Sequence, residues 1–338
     1  MNSLHSLHSV DELRALARGA LRAARIPEAV AAVVTEALLL AELDGVPSHG
    51  LSRLPFYADQ ALSGKVQAEA TPLVTNPRPA VVLADAGNGF AFPAIHAGLE
   101  AAFARAEDEG ICSLAVRRSH HCGVLGHHVE KIAERGLVGF ACANTPAAIA
   151  PWGGRKGVFG TNPLAFACPR ARDEPVVMDL SLSVAARGKI MLAKQRGEKI
   201  PPGWALDAQG RETTEPEAAL RGTMLPLGGA KGAALALMVE LLAATLSGAN
   251  HASEASSFFE AQGSPPGVGQ FFLLIDPKAF NAEFPRRVEA LCADILEQEN
   301  TRLPGARRRE QRRKRLREGV CLPESLLAEL RRRAGLCV

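Results

Sequence analysis

The sequence predicts a mixed α and β protein in which helical ends flank a central sheet. Three observations carry this. The first sixty or so residues place apolar side chains three and four positions apart, the spacing of a helix face. The middle of the chain alternates short apolar runs, bounded by Gly and Pro, with helical stretches. From Asn281 onward the helical spacing returns.

The elements follow in order. "SVDELRALARGALRAARI" opens with Ser9 three residues before Glu12, the capping-box spacing that satisfies free N–H groups of a first turn. "PEAVAAVVTEALLLAELDG" continues the pattern, and Gly45 closes it. Pro47 suits the first position of a further helix, which puts His49 and Arg53 of "SHGLSR" one turn apart on one face. A Pro-rich linker, "PLVTNPRPA", leads to a strand in "AVVLAD", a helix in "AIHAGLEAAFARAEDEG" and a strand in "ICSLAVRRS". Further strands are expected in "LVGFACANT", "PLAFACP", "PVVMDLSL" and "GQFFLLIDP". "GGAKGAALALMVELLAATLSG" reads as an apolar helix laid on the sheet. "RRVEALCADILEQEN" and "PESLLAELRRRAG" return to helix, and the two helical ends are expected to pack together around the ends of the sheet.

Bulk properties narrow the function. At 338 residues the chain exceeds one small core, and 47% hydrophobic with 22% charged residues is ordinary globular composition. A net charge of +3 creates no global field that would demand nucleic acid or an anionic membrane. Cys112, Cys122, Cys142, Cys168, Cys292, Cys321 and Cys337 are scattered, odd in number and free of any CxxC pair. That argues against a disulfide framework or a zinc knot. With no leader-like start and no uninterrupted apolar span, the reading is a thiol-reduced, cytoplasmic protein without a membrane partner.

Four stretches carry candidate chemistry. In "VVLADAGNGFAFPA", Gly87 and Gly89 follow a strand and precede a helix, as in a dinucleotide fingerprint, but Phe92 replaces the third glycine and no acidic residue marks a ribose. A tight structural turn is the competing reading. "RSHHCGVLGHHVE" gathers His120, His121, His127 and His128 with Cys122, which suits a metal, a phosphate or nicotinamide cradle, or a plain loop. "PWGGRKGVFGTNP" is either a hairpin-like loop or a place where Thr161 holds a substrate carboxylate or carbonyl. "RLPGARRREQRRKRLREG" packs nine basic residues together. These form a solvated helix face, a nucleic-acid patch or an anion pocket; aromatic interleaving for base stacking is absent. Arg302, Arg307 and Arg308, beside the Pro304-Gly305 turn, suit a phosphate best.

At "SHGLSR", Asp44, Ser48, His49 and Arg53 crowd together. A helix N-terminus lowers the pKa of a nearby histidine, and Arg53 offers a permanent fork for a carboxylate. Proton transfer plus carboxylate anchoring is what reduction of a 2-oxo acid requires.

Taken together, "DGVPSHGLSR", "SHHCGVLGHH", "APWGGRKGVFGTNPLAFACP", "VVMDLSLSVAARGK", "IPPGWALDAQGRETTEP" and "LPLGGAKG" resemble the malate/L-lactate dehydrogenase family. That group also holds sulfolactate dehydrogenases, ureidoglycolate dehydrogenases and Δ1-piperideine-2-carboxylate/Δ1-pyrroline-2-carboxylate reductases. The resemblance implies an α+β fold that is not Rossmann. A mixed, largely antiparallel sheet domain flanked by helices would span residues 76–289. A helical domain would form from residues 1–75 together with 290–338. It also implies a homodimer with active sites near the subunit contact, and a structural turn at Gly87 and Gly89.

By the same resemblance His49 is the proton donor in reduction and the acceptor in oxidation, with Ser48 beside it as relay. Arg53 and Thr161 would hold the carboxylate of a small-molecule substrate, with Arg187 and Gly188 beside them. Nicotinamide cofactor would contact His121, Cys122, Gly123, Val124 and Leu125, then Asp179, Leu180 and Ser181, then Ala230 and Lys231. The last contact is the loop of Arg302, Leu303, Pro304, Gly305, Ala306, Arg307 and Arg308, whose arginines favour NADP(H) over NAD(H). No metal is required. "SHHCG" replaces the more usual histidine-phenylalanine-glycine at the nicotinamide pocket. Lys189 is the third expected catalytic position, standing where cyclic-imine reductases carry a relay aspartate. With Arg187, Lys189 favours a substrate bearing a second anionic group, which ranks a 2-hydroxy-acid dehydrogenase of the malate, lactate or sulfolactate type over an imine reductase.

Overall fold

The computed structural model describes residues 5–336; Cys337 lies outside them. The Val10–Ala23 helix begins on the capping box read from sequence: Glu12 N–H donates to the Ser9 hydroxyl at 3.2 Å, and Ser9 N–H donates to the Glu12 carboxylate at 2.8 Å. It packs on the Glu28–Leu43 helix, burying Leu13, Leu16 and Leu21 with Val34, Leu38 and Leu39. Near the other end of the chain, Val320–Pro323 pairs antiparallel with His5–His8, and the Glu324–Arg333 helix adds Leu327 and Leu330 to the same core. Both ends thus share one apolar interior, which also receives Leu51, Leu54, Tyr57, Phe90 and Phe92.

The central sheet has seven strands in the order Leu73–Arg78, Val81–Asp85, Ile111–Ser119, Val268–Ile275, Val138–Ala143, Leu164–Cys168 and Val176–Leu180. Only the Val81–Asp85 and Ile111–Ser119 pair is parallel, joined by the Ala91–Glu109 helix; every other pairing is antiparallel. This is not the parallel array of a dinucleotide fold. The period of two assigns the faces. Ala141, Ala143, Phe272 and Leu274 meet the Ala91–Glu109 and Leu125–Glu134 helices. Cys142, Phe140 and Phe271 meet the Ala230–Glu240 helix on the opposite side. The Phe284–Leu296 helix runs through residue 290 and packs on that second side, where Cys292 joins Val138, Cys168 and Val176. At Gly98 an added Cβ would lie 2.7 Å from Leu114 Cδ1, so glycine lets the helix approach the sheet without displacing Leu114.

The stretch "PLVTNPRPA", read as a linker, instead supplies the edge strand Leu73–Arg78. Its residues are mostly exposed and its register shifts between Thr75 and Arg78, conditions under which an edge strand tolerates Pro77. His5–His8, Val320–Pro323 and a small sheet of Thr223–Met224, Ala205–Leu206 and Glu212–Thr213 are likewise strands that periodicity did not suggest. Each is too short to display a period.

Candidate active site

Two tight 3-10 turns, rather than the single helix expected, carry His49 and Arg53. Pro47–His49 and Leu51–Arg53 are separated by Gly50, whose backbone is extended at φ −96° and ψ −144°. The α-helix begins only at Leu54. The break has a cause beneath it. Buried Glu42 accepts the Leu51 N–H at 2.8 Å, and an added Cβ at Gly50 would stand 2.3 Å from Glu42 Oε1. Burial pushes the Glu42 carboxyl up to about 7, against the opposing effect of that N–H and of Arg315.

His49 lies half-buried, with Nδ1 3.0 Å from Ser48 Oγ. Its ring stacks on His121, centroids 5.2 Å apart and planes 30° apart, and His121 Nδ1 is 2.6 Å from the Tyr57 hydroxyl. Burial, then the charges of Arg53, His127 and Arg308, push the His49 imidazolium down to about 3, so the ring is neutral at physiological pH. The expected depression is present, but its source is burial and cations rather than a helix N-terminus.

Arg53 is held from two directions. Its Nε donates to the Ser48 carbonyl at 2.7 Å, and the guanidinium carbon lies 4.5 Å from the centre of the Phe259 ring. Its Nη1 is buried and has no acceptor among the described residues. An orphaned charged donor is costly, and a carboxylate oxygen is the partner that matches its fork.

Thr161 lies in a tied loop: its N–H donates to Thr145 Oγ1 at 2.9 Å, and the two hydroxyl oxygens are 3.3 Å apart. Its carbonyl accepts from Leu182 N–H at 2.9 Å and from the Ser181 hydroxyl at 3.3 Å. The loop is hairpin-like, with Ile149 bridged to Phe159. Thr161 thus joins the Asp179–Ser181 segment, and among the described residues no hydrogen bond ties it to His49 or Arg53. The Arg187–Arg196 helix brings Gly188 beside Ser48, where an added Cβ would lie 3.9 Å from Ser48 Cβ. Arg187 donates to the Leu220 carbonyl at 3.3 Å, whereas Lys189 is exposed with its ammonium 5.9 Å from the Trp204 ring centre.

The segments expected to hold cofactor converge. Gly126 N–H, at the start of the helix behind His121, Cys122, Gly123, Val124 and Leu125, donates to Asp179 Oδ2 at 2.9 Å. Arg308 Nη1 lies 3.6 Å from the same oxygen, and an added Cβ at Gly305 would lie 2.9 Å from the Val177 carbonyl. The strap before Ala230 and Lys231 joins them where Leu227 N–H donates to the Leu182 carbonyl at 2.8 Å. Arg308 is already shared between Asp179 and Asp44, but Arg302, Arg307 and Lys231 are exposed and form no ion pair among the described residues. Such unpaired cations fit a polyanionic cofactor.

The rest of the arginine run is structural. Arg312 donates to both Asp44 oxygens at 2.6 and 2.9 Å and to Glu130 at 2.8 Å; Arg309 and Arg313 pair with Glu174, and Arg315 donates to the Glu42 carbonyl. Asp44, fully buried, also meets His127 Nε2 at 2.8 Å, so it faces this network rather than His49. Burial opposes its ionisation, but the Arg312 and His127 contacts prevail and hold its pKa below the usual range. The histidines divide among separate partners, His120 with Gln60 and His128 with the Cys122 carbonyl. No group of three or more His, Cys, Asp or Glu side chains among the described residues is placed to hold a metal. Gly87 takes φ +60°, its N–H donating to Asp85 at 3.0 Å, and an added Cβ at Gly89 would press within 3.1 Å of the Gln67 carbonyl, as a structural turn requires.

Comparison with known proteins gives a consistent result. Residues 8–331 match the family described as malate/L-lactate dehydrogenase. The chain is 52% identical over 323 residues to a (2R)-3-sulfolactate dehydrogenase (NADP(+)) of Chromohalobacter salexigens, covering 96% of each. It is 39% identical over 330 residues to a Δ1-pyrroline-2-carboxylate/Δ1-piperideine-2-carboxylate reductase of Pseudomonas putida, again covering 96% of each. The crystal structure of Δ1-piperideine-2-carboxylate reductase from Pseudomonas syringae superposes with a TM-score of 0.92 at 37% identity, over 97% of this chain and 99% of that one. The chain belongs to the malate/L-lactate dehydrogenase family and is an oxidoreductase.

Proposed function

We propose that the protein is an NADP(H)-dependent dehydrogenase of small 2-hydroxy acids carrying a second acidic group, of the sulfolactate type. The observation that carries this reading is the buried Arg53 Nη1 without an acceptor, beside a neutral His49 whose Nδ1 is engaged by Ser48. Bound cofactor would supply or accept the hydride, and the remaining work falls to the chain. Arg53, with Thr161, holds the substrate carboxylate and fixes the reacting carbon. The Ser48 contact leaves His49 Nε2 for the substrate oxygen. In oxidation the neutral imidazole takes the hydroxyl proton. In reduction it must arrive protonated; burial, the main cause of its depression, opposes this, and a bound carboxylate favours it by offsetting the Arg53 charge that adds to the depression. Lys189 and Arg187, on the helix whose Gly188 adjoins Ser48, supply positive charge for the second acidic group. Arg302 and Arg307 are suited to a 2′-phosphate, in keeping with the NADP(+) named for the 52% identical relative.

We further propose a cytoplasmic homodimer. The Ala230–Glu240 helix and the turn after it leave Leu235, Leu237, Met238, Leu241 and Leu246 exposed, an apolar face that a second copy would cover.

Purified protein is mixed with NADPH or NADH and, in turn, sulfopyruvate, oxaloacetate, pyruvate and Δ1-piperideine-2-carboxylate. NADPH oxidation fastest with sulfopyruvate is the expected result, and no oxidation with any of them refutes the reading. Turnover confined to Δ1-piperideine-2-carboxylate moves the assignment to imine reduction, the activity named for the 39% identical relative. His49→Ala should lower kcat about a thousandfold while NADPH still binds.

A further inference from the structure

Arg53 owes its position to a loop from far along the chain, and that loop is organised by a lysine. Lys65 is only 2% exposed. Its ammonium donates to the carbonyls of Ser257 at 2.7 Å, Glu260 at 2.9 Å and Gln262 at 3.2 Å, which uses all three of its hydrogens. Gln60 adds donations to the Phe258 and Glu260 carbonyls, both at 3.0 Å, and Ser63 adds one to Ala261 at 2.6 Å. Residues 257–262 have no regular backbone pairing of their own, so these side chains set their path. The path delivers two rings to the active site. Phe258 packs against His120 and His121, centroids 5.2 Å away in each case, and Phe259 lies under the Arg53 guanidinium while meeting Phe56 edge-on at 5.6 Å.

We propose that Phe259 is a positioning and specificity-determining residue of the carboxylate subsite, and that Lys65 is the clamp that holds it there. The ring closes one face of the guanidinium, so an anion can reach the fork only in its plane. It also strips water from that face, which strengthens the remaining in-plane contact. Ser48 O occupies Nε, which leaves the two terminal nitrogens, buried Nη1 without an acceptor among them, for an in-plane partner. The subsite therefore selects planar carboxylates lying in the guanidinium plane. This rests on the reading of Arg53 as the carboxylate anchor.

The test compares inhibition by oxamate, which carries a carboxylate, with inhibition by its neutral counterpart oxamide, alongside KM for the turned-over 2-oxo acid. Phe259→Ala should raise KM and the oxamate Ki about tenfold, with kcat changed less than about twofold and the NADPH Kd unaltered. Oxamide inhibition should not change, and Phe259→Tyr should restore the wild-type values. Lys65→Met should raise the same KM, and should add nothing in the Phe259→Ala background, because both act through one ring. The Phe259 series decides the proposal even where Lys65→Met lowers stability. Arg53→Lys separates the two levels. If it raises KM while Phe259→Ala does not, the proposal fails alone; if Arg53→Lys leaves KM unchanged, the anchor reading fails with it. Equal weakening of oxamate and oxamide, or a loss confined to kcat, also overturns the proposal.

Discussion

Replacing Glu42 with glutamine should stabilise the protein, and by an amount that depends on pH. The side chain is 1% exposed, accepts the Leu51 N–H at 2.8 Å and fills the space a Cβ at Gly50 would need. Burial raises its pKa from 4.5 to about 7. An unfolded chain therefore releases this proton at lower pH than the folded one. The favourable contribution is complete below about 4.5, declines as pH rises through the interval, and is gone above about 7. At about 1.4 kcal/mol per pH unit the interval corresponds to roughly 3 kcal/mol. Glutamine keeps the Oε1 acceptor and the shape but does not ionise. Wild type and Glu42→Gln should melt together near pH 4, and above pH 8 the variant should melt higher by roughly 5 °C for a chain of this size. Thermal unfolding followed by far-UV circular dichroism from about pH 4 to 9 measures the difference. A gap that stays constant across that range, or a variant less stable at pH 8, refutes the argument.

Two further substitutions probe the arginine helix. Arg312→Met leaves fully buried Asp44 without the guanidinium that bonds both its oxygens, and should cost about 3–5 kcal/mol in urea unfolding, most of it recovered by adding Asp44→Asn. A loss below about 1 kcal/mol would contradict the network's role. The pair Arg302→Ala with Arg307→Ala should weaken NADPH about tenfold in a fluorescence titration and NADH less than about twofold, since only the former offers a 2′-phosphate. Equal weakening of both would remove these residues from cofactor discrimination.

Much of the fold was legible because its signals are local. The Ser9 and Glu12 cap, the Gly45 stop and six of the seven sheet strands each declare themselves within a few residues. The Leu73–Arg78 strand did not, because an exposed edge has no apolar alternation to read. His5–His8 and Val320–Pro323 did not, because each is defined only by a partner at the opposite end of the chain. In the site, the residue types at Ser48, His49 and Arg53 were visible, but their geometry was not, since it depends on Glu42 occupying the space beside Gly50. Tyr57, Lys65, Glu42 and Phe259 gave no signal at all. Their meaning lies in contacts with His121, the 257–262 loop, Leu51 and Arg53, which no spacing rule connects. The arginine run was visible as charge, but which cations are spent on Asp44, Glu130 and Glu174 depends on acids contributed by distant segments.

The sharing of one apolar interior by the two ends of the chain also sets an order of assembly. While the polypeptide is emerging from the ribosome, Leu13, Leu38 and Leu39 have no cover from Leu327 and Leu330, and Asp44 has no Arg312. The turn bearing His49 therefore gains its brace only after residues 306–333 have been made. A product ending before residue 306 already contains all seven strands of the central sheet but lacks the segment that braces its proton-transfer turn.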